Sequence, residues 1–422
     1  MKRPSRPTPL PTPLLRARQL LREGRSDAAE AAFRAVAAAD PRCVEALQMA
    51  GAGAGQRGQV QEGIGLLQQA LALRPDDPQL LNNLGNAYGA AGRPADALAC
   101  FDRSLRQRPG HAGTQANRSR ALVKLERADE ALAAVDAALA GPNVNAGLYE
   151  LRAQILTQRH AREPTMPHLD AAVAALQAAL RHGGDADELN FVLASLGAAP
   201  TPPRAPAKSV AEAFDRGADS FDSHLVDQLH YQGPTLVMKV VQRLALQPPC
   251  DVIDLGCGTG LCAPSLRPLA RQLVGVDLSA GMLAQAARRG LYDELLQDDL
   301  VAVLTTRPAA WDLAVAVDVL IYVGAVDPVF GALGQALRPG GHFVFTAEAH
   351  EGDGMALGPT RRYAHGRHLL QDRAAAHGLA VQAWDDGVLR IERGRPVAGW
   401  IVALRRPAGD ETTHDDVARR DG

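Results

Sequence analysis

Two hydrophobic patterns divide this chain of 422 residues. Over residues 13–198, apolar and alanine positions recur every three or four residues, the spacing that lines one stripe of an α-helix. After about residue 250 the pattern changes to short apolar runs: Val252-Ile-Asp-Leu255, Leu273-Val-Gly-Val276, Glu294-Leu-Leu-Gln297, Trp311 to Val317 and Phe343-Val-Phe345. Runs of this length between glycine turns and acids predict buried strands, with helices between them. Two further apolar segments lie near 379–391 and 397–405. Between the two patterns, residues 199–208 are rich in proline and predict an extended, semi-rigid linker. Residues 1–12 (proline-rich) and 408–422 (polar) lack an apolar pattern and predict disorder.

The helical half repeats itself. Pro41, Pro75 and Pro109 are spaced 34 residues apart, and so are Gly24, Gly58 and Gly92. The clearest unit, 78–111, carries Leu84-Gly85, Tyr88, Gly92, Ala97, Phe101 and Pro109. This is similar to the tetratricopeptide repeat, a helix–turn–helix of that period. Small residues let its two helices cross closely, and proline ends the second. Units 10–43, 44–77 and 112–145 match less fully: Gly63 stands where alanine is usual, and Ser119 replaces the close-contact glycine. A fifth unit, roughly 146–184, is stretched around residues 162–168, and Asp185 predicts the N-cap of a final helix to Leu196. Stacked repeats form a superhelix with a concave face. By repeat position, Asn82, Asn86, Asn117, Arg120 and Lys124 are expected to line that groove and to meet a protein or peptide partner.

Candidate chemistry concentrates in the second half. The run Asp251-Val-Ile-Asp254-Leu-Gly256-Cys-Gly258-Thr-Gly260 reads as a strand passing through a glycine-rich turn into a helix. A dinucleotide loop wants G-x-G-x-x-G. Here the glycines fall as G-x-G-x-G, and Asp254 precedes them where its charge would repel a phosphate. A ligand with an amino group and no phosphate, such as S-adenosyl-L-methionine, fits better. Asp277 follows Gly256 by 21 residues, about one helix plus one strand, where an acid can accept from ribose hydroxyls. Met282, on the next helix, could lie against an adenine face, and Asp298 or Asp299 could accept from the adenine amino group.

Five segments in this order, DLGCGTG at 254–260, VDLSAGML at 276–283, DDL at 298–300, DVLIYVG at 318–324 and LRPGG at 337–341, resemble a class I S-adenosylmethionine-dependent methyltransferase. With the repeats in front, the chain resembles the predicted bacterial methyltransferases that bear tetratricopeptide repeats. The resemblance implies a two-domain fold: an N-terminal all-α tetratricopeptide solenoid over 13–198, and a C-terminal α/β Rossmann-like methyltransferase with a seven-stranded sheet over 209–407. It implies S-adenosyl-L-methionine as cofactor. The expected cofactor-binding residues are Asp254, Gly256, Cys257, Gly258, Thr259, Gly260, Asp277, Leu278, Met282, Asp298, Asp299, Leu300 and Asp318. Val210 to Leu229 has helical apolar spacing, with Phe214, Phe221 and Leu225 on nearby turns, and the resemblance implies that the segment from Phe221 through His224 and Leu229 to Tyr231 covers the cofactor. Arg361 stands where such sequences often show glycine.

Composition narrows the setting. Net charge is −2, which argues against bulk binding to nucleic acid, and no aromatics interleave with basic residues as RNA binding would need. No apolar run is long enough to span a membrane, and no signal peptide opens the sequence. The five cysteines show no metal-ligand or disulfide spacing, so reduced thiols, no metal and a cytoplasmic location are expected.

Methyl transfer from a sulfonium needs positioning and exclusion of water, and a base only if the nucleophile arrives protonated. Candidates after the fourth and fifth strands are Asp318, Tyr322, His350 and His365; His365, His350 and Tyr363 are the residues expected to be catalytic. Asp318 is expected to support cofactor or loop. The absence of Asn-Pro-Pro-Tyr after the fourth strand argues against adenine or glutamine amino-methylation, and the absence of Pro-Cys against cytosine C5 chemistry. Three functions stay open: methylation of a protein or carrier-bound acceptor recruited by the repeats, methylation of a free small molecule or glycan, and a scaffold that binds cofactor without turnover.

Overall fold

The computed structural model describes residues 12–223, 231–392 and 394–408. The disorder expected for the termini therefore falls, except at Thr12 and Ala408, outside the described residues, as do His224 to His230 of the expected cover segment. The chain forms two compact units, 1–189 and 190–422.

The first unit is a run of antiparallel helix pairs: Thr12–Arg22 with Ser26–Ala39, Val44–Gln56 with Val60–Leu73, Pro78–Ala90 with Pro94–Gln107, Ala112–Lys124 with Ala128–Leu139, and Ala146–Arg162 with Met166–Arg181. The small residues work as the 34-residue pattern requires. A Cβ at Gly85 would lie 2.5 Å from the Phe101 ring, so only glycine lets these helices meet. Ser119 does the same job differently: it is fully buried, and its hydroxyl donates to the Ala131 carbonyl at 2.8 Å. Phe33, Leu67, Leu84, Phe101, Leu122 and Leu151 fill the space between helices. Asp185 caps the helix Ala186–Ser195, accepting from the Asp187 and Glu188 amides.

The second unit is a sheet with helices on both faces. Its strands are β1 (Cys250–Leu255), β2 (Ala270–Asp277), β3 (Glu294–Gln297), β4 (Trp311–Ala316), β5 (Leu337–His350), β6 (Met355–Leu357), β7 (Tyr363–Gly366), β8 (Ala380–Glu392) and β9 (Arg395–Arg405). The parallel core runs β3-β2-β1-β4-β5, and the antiparallel pair β9-β8 extends it beyond β5. These are the seven strands expected. Two short strands are added: β7 pairs with the last three residues of β5, and β6 with β7. Alternate residues of β1 feed opposite cores, Val252 into one face and Ile253 and Leu255 into the other, which is why the strand is apolar almost throughout. The strand order reverses between β1 and β4, and the carboxyl ends of strands at such a reversal open a crevice for ligands.

The proline-rich segment differs from the linker expected over 199–208. The second unit begins at Asn190, and the segment packs on it. Pro203 O accepts from the Gly324 and Ala325 amides, and the Ala205 amide donates to Tyr322 O at 2.9 Å. Proline gives the extended backbone, but its carbonyls remain strong acceptors, and the turn at 322–325 supplies the donors.

Candidate cofactor and acceptor cavity

At the carboxyl ends of β1, β2 and β4 lies a cavity of about 260 Å³. The loop after β1 forms its floor. Gly256 has a φ of +65°, and a Cβ there would lie 2.4 Å from the Val319 side chain; the loop can pass under the β4 turn only because this residue is glycine. Asp277, at the end of β2, locks the loop: Oδ2 accepts from the Gly258 amide at 2.9 Å and Oδ1 from the Ser279 amide at 2.9 Å. Ser279 in turn caps the helix Ala280–Arg289 and sets Met282 against the cavity.

Asp254 lies beneath the loop, 2 % exposed, and accepts from the Tyr292 hydroxyl at 2.6 Å. Burial pushes its carboxyl up to about 7, the Tyr292 bond pulls it back, and the Asp277 charge adds to the rise. Asp277 is also raised, chiefly by burial. Beyond β3, Asp299 Oδ1 caps the helix Leu300–Thr306 and Oδ2 takes the Arg204 guanidinium at 2.6 Å.

Asp318 follows β4 with a φ of +58°, a strained backbone for a non-glycine residue. Its amide donates to the Thr346 hydroxyl at 2.8 Å, and Arg390 Nη1 lies 3.2 Å from Oδ2. Burial raises the Asp318 carboxyl, and the Arg390 charge opposes the rise. Arg390 is 1 % exposed and also holds Glu348; beside it Arg362 bonds Glu392 at 2.6 Å. These two guanidinium groups, with Tyr231 and Tyr322, also line the cavity.

The stretch 207–222, which leads into the expected cover segment, is amphipathic. Phe214, Phe221 and Val210 line the cavity, and Phe214 packs edge-on against Phe221 and Tyr322. Its aspartates tie it down. Asp215 accepts from Ser279 and the Gly281 amide, Asp219 from Gln285, and Asp222 from Thr259 and Arg289.

Of the residues expected to bind cofactor, Asp254, Gly256, Cys257, Gly258, Thr259, Asp277, Leu278, Met282, Asp298, Asp299, Leu300 and Asp318 line this cavity. Gly260 lies outside the lining; a Cβ there would press on Tyr292 at 3.0 Å. The three residues expected to be catalytic need correction, because all lie outside the lining. His365 is fully buried, and its Nε2 sits 2.9 Å from Val323 O and 3.2 Å from Gly324 O, so that nitrogen carries a proton and donates. Burial lowers its pKa. Tyr363 is fully buried with its hydroxyl on Pro202 O at 2.8 Å and is pushed up to about 12. His350 is half-buried at the end of β5. Alternation along β7 does aim Tyr363 and His365 to one side, but that side is the core beneath the 322–325 turn.

Sequence reasoning missed Arg390, Arg362, Arg204 and Tyr292. Arg390 left a trace, a lone charge inside the apolar run Val388-Leu389-Arg390-Ile391; the others carry no local signal. In the first unit, Asn86, Arg120 and Lys124 are exposed. Asn82 Oδ1 accepts from Thr114 and Asn117 of the next repeat, and Asn117 accepts from Arg120, so two of the expected groove residues also join neighbouring repeats.

Comparison with known proteins agrees with this geometry. Residues 253–343 match the methyltransferase domain family, and residues 14–78, 49–112 and 82–147 match the tetratricopeptide repeat. The chain is 32 % identical over 142 residues to the malonyl-[acyl-carrier protein] O-methyltransferase of Pseudescherichia vulneris, covering 34 % of this chain and 54 % of that one. It is 41 % identical over 85 residues to methyltransferase-like protein 27 of Homo sapiens, covering 19 % of this chain and 34 % of that one. A solved S-adenosylmethionine-dependent methyltransferase from Mesorhizobium loti superposes with a TM-score of 0.33 at 23 % identity, over 42 % of this chain and 97 % of its own. The chain thus spans about half or less of the length of these curated relatives. It carries a class I methyltransferase domain, whose cofactor is S-adenosyl-L-methionine, behind an array of tetratricopeptide repeats. No helix among the described residues is long and apolar enough to cross a membrane.

Proposed function

We propose that the chain is an S-adenosylmethionine-dependent methyltransferase whose repeats recruit a protein, or a group carried on a protein, as methyl acceptor. The observation that carries this reading is the cavity itself: a glycine floor latched to Asp277, lined by the carboxylates of Asp254, Asp298, Asp299 and Asp318 and by Arg362 and Arg390. The group fits the donors present. Asp277 would keep lone pairs for two ribose hydroxyls, Asp254 would offer a buried carboxylate to a cationic amino group, Met282 and Leu278 would give an apolar wall for adenine, and Asp298 or Asp299 would accept from its amino group; all of them line the cavity. When bound, the cofactor supplies a methyl group on a sulfonium.

The protein then has to orient the acceptor and keep water out. Phe214, Phe221 and Tyr231 give the cavity aromatic walls, and the Asp318 carboxylate in it pairs with Arg390. No histidine among the described residues lines it. An acceptor that arrives unprotonated, such as a carboxylate or neutral amine, needs positioning alone. The relatives named for malonyl-[acyl-carrier protein] act on a carrier-bound group, which supports a carrier-bound acceptor here. A cytoplasmic setting accords with five free cysteines.

The test is S-adenosylhomocysteine release by the full chain incubated with labelled cofactor and total protein extract, then resolved by mass. Label on macromolecules is expected, with the Michaelis constant raised in an Asn86→Ala, Arg120→Ala, Lys124→Ala variant and turnover little changed, since uniform binding does not speed the chemical step. Label confined to low-mass products favours a free small molecule or glycan. Cofactor binding without product release favours a scaffold.

A further inference from the structure

We infer that the proline-rich segment 202–206 is a built part of the cofactor cavity, and that Arg204 is a positioning residue for adenine recognition. The inference rests on reading the cavity as the S-adenosylmethionine site.

The segment is held as firmly as a strand. Arg204 pairs with Val323 in an antiparallel bridge. Pro203 O accepts from two amides, at 2.9 and 2.8 Å, and Pro202 O accepts from the Tyr363 hydroxyl. Ala205 is 3 % exposed, in a small core with Phe191 and Tyr363, whose rings lie 6.1 Å apart. This packing explains why Tyr363 is buried: it is the post under the segment, and a Cβ on Gly324 would strike its ring at 2.5 Å.

So fixed, the segment delivers Arg204, Ala205 and Ala207 to the cavity wall. The guanidinium reaches Asp299 Oδ2 at 2.6 Å. Asp299 Oδ1 is already committed to the helix amides of Val301 and Ala302. The carboxylate is therefore held from both sides, by the helix amides on Oδ1 and by Arg204 on Oδ2, which keeps a lone pair free to accept. A carboxylate held in this way discriminates an amino group, which donates, from a carbonyl, which cannot. The class of ligand group is thus a 6-aminopurine, and the residue that orients its acceptor comes from the segment preceding the sheet, outside every strand and loop of the methyltransferase pattern.

The experiment uses the full chain and calorimetric titration with two probes, S-adenosylhomocysteine and its hypoxanthine counterpart S-inosylhomocysteine. Wild type is expected to prefer the adenine form. Arg204→Ala is expected to weaken the adenine form at least fivefold, to leave the hypoxanthine form within twofold, and to keep its melting temperature, because the Arg204 side chain is 47 % exposed. Ala205→Pro, which removes the N–H that donates to Tyr322 O, is expected to weaken both probes together. Equal affinities in wild type and Arg204→Ala, or equal losses for both probes in Arg204→Ala, would overturn the inference. Failure of wild type to bind either probe would instead overturn the reading of the cavity on which it rests.

Discussion

The Tyr292 hydroxyl donates to Asp254 Oδ2 at 2.6 Å, behind the glycine loop rather than in it. Asp254 is buried and Tyr292 half-buried, and the same ring is what a Cβ at Gly260 or Gly275 would strike. Tyr292 is thus a wedge that sets the loop's height and a donor that keeps a buried acid partly ionised. Tyr292→Phe keeps the wedge and removes the donor. Since a hydrogen bond to a charged group contributes about 1.5–3 kcal/mol, the variant is expected to bind cofactor roughly tenfold more weakly at pH 7. Titration at pH 8.5 is expected to recover part of the loss; equal losses at both pH values would exclude the ionisation role.

Asp254 is expected to make cofactor affinity depend on pH. Its carboxyl is raised to about 7 in the cofactor-free protein, chiefly by burial, and a cationic amino group pairs only with the ionised form. Binding therefore releases a proton below pH 7. Affinity is expected to fall as pH drops through 7, by up to about tenfold per unit, and to level off above about pH 8. Asp254→Asn should flatten this profile. The raised Asp277 carboxyl acts in the same direction and leaves a residual slope.

Asp277→Ala removes the acceptor of the Gly258 and Ser279 amides as well as the proposed ribose contact. Cofactor affinity is expected to drop about ten- to a hundredfold or more, measured by calorimetry. An unchanged dissociation constant would remove Asp277 from the site.

His365→Ala should act on stability and not on chemistry. It leaves the Val323 and Gly324 carbonyls without their donor and opens a void in a packed core, at a cost of about 2–4 kcal/mol. A lower melting temperature is expected, with turnover per folded molecule nearly unchanged. The buried imidazole has a lowered pKa, so its contribution is present above the unfolded value of about 6.5 and is lost as pH falls below it. Loss of turnover with full stability would return His365 to the reaction.

Asp222 joins the cover segment to the glycine loop through Thr259 and to the next helix through Arg289. Asp222→Ala is expected to speed cofactor release in stopped-flow dilution and to leave the melting temperature of the cofactor-free protein close to wild type. Unchanged release would mean that the segment does not retain the ligand.

The sequence by itself determined the elements and most of the residues that meet around the glycine loop in one cavity. A 34-residue spacing of proline and glycine is enough to define helix pairs, because each pair is a local structure with its own small-residue crossing. The loop residues from Asp254 to Thr259, together with Asp277 and Met282, could be read in order because strand, turn and helix place them by covalent connection. Tertiary structure alone decided the rest. Arg390 reaches Asp318 across 72 residues and Arg204 reaches Asp299 across 95, so no local spacing encodes either pair. The same is true of His365 and Tyr363: alternation gave them a common direction, but whether that direction meets a cavity or a core depended on where residues 202–206 pack. A strand's period is set by its backbone, whereas what lies opposite a side chain is set by a distant segment.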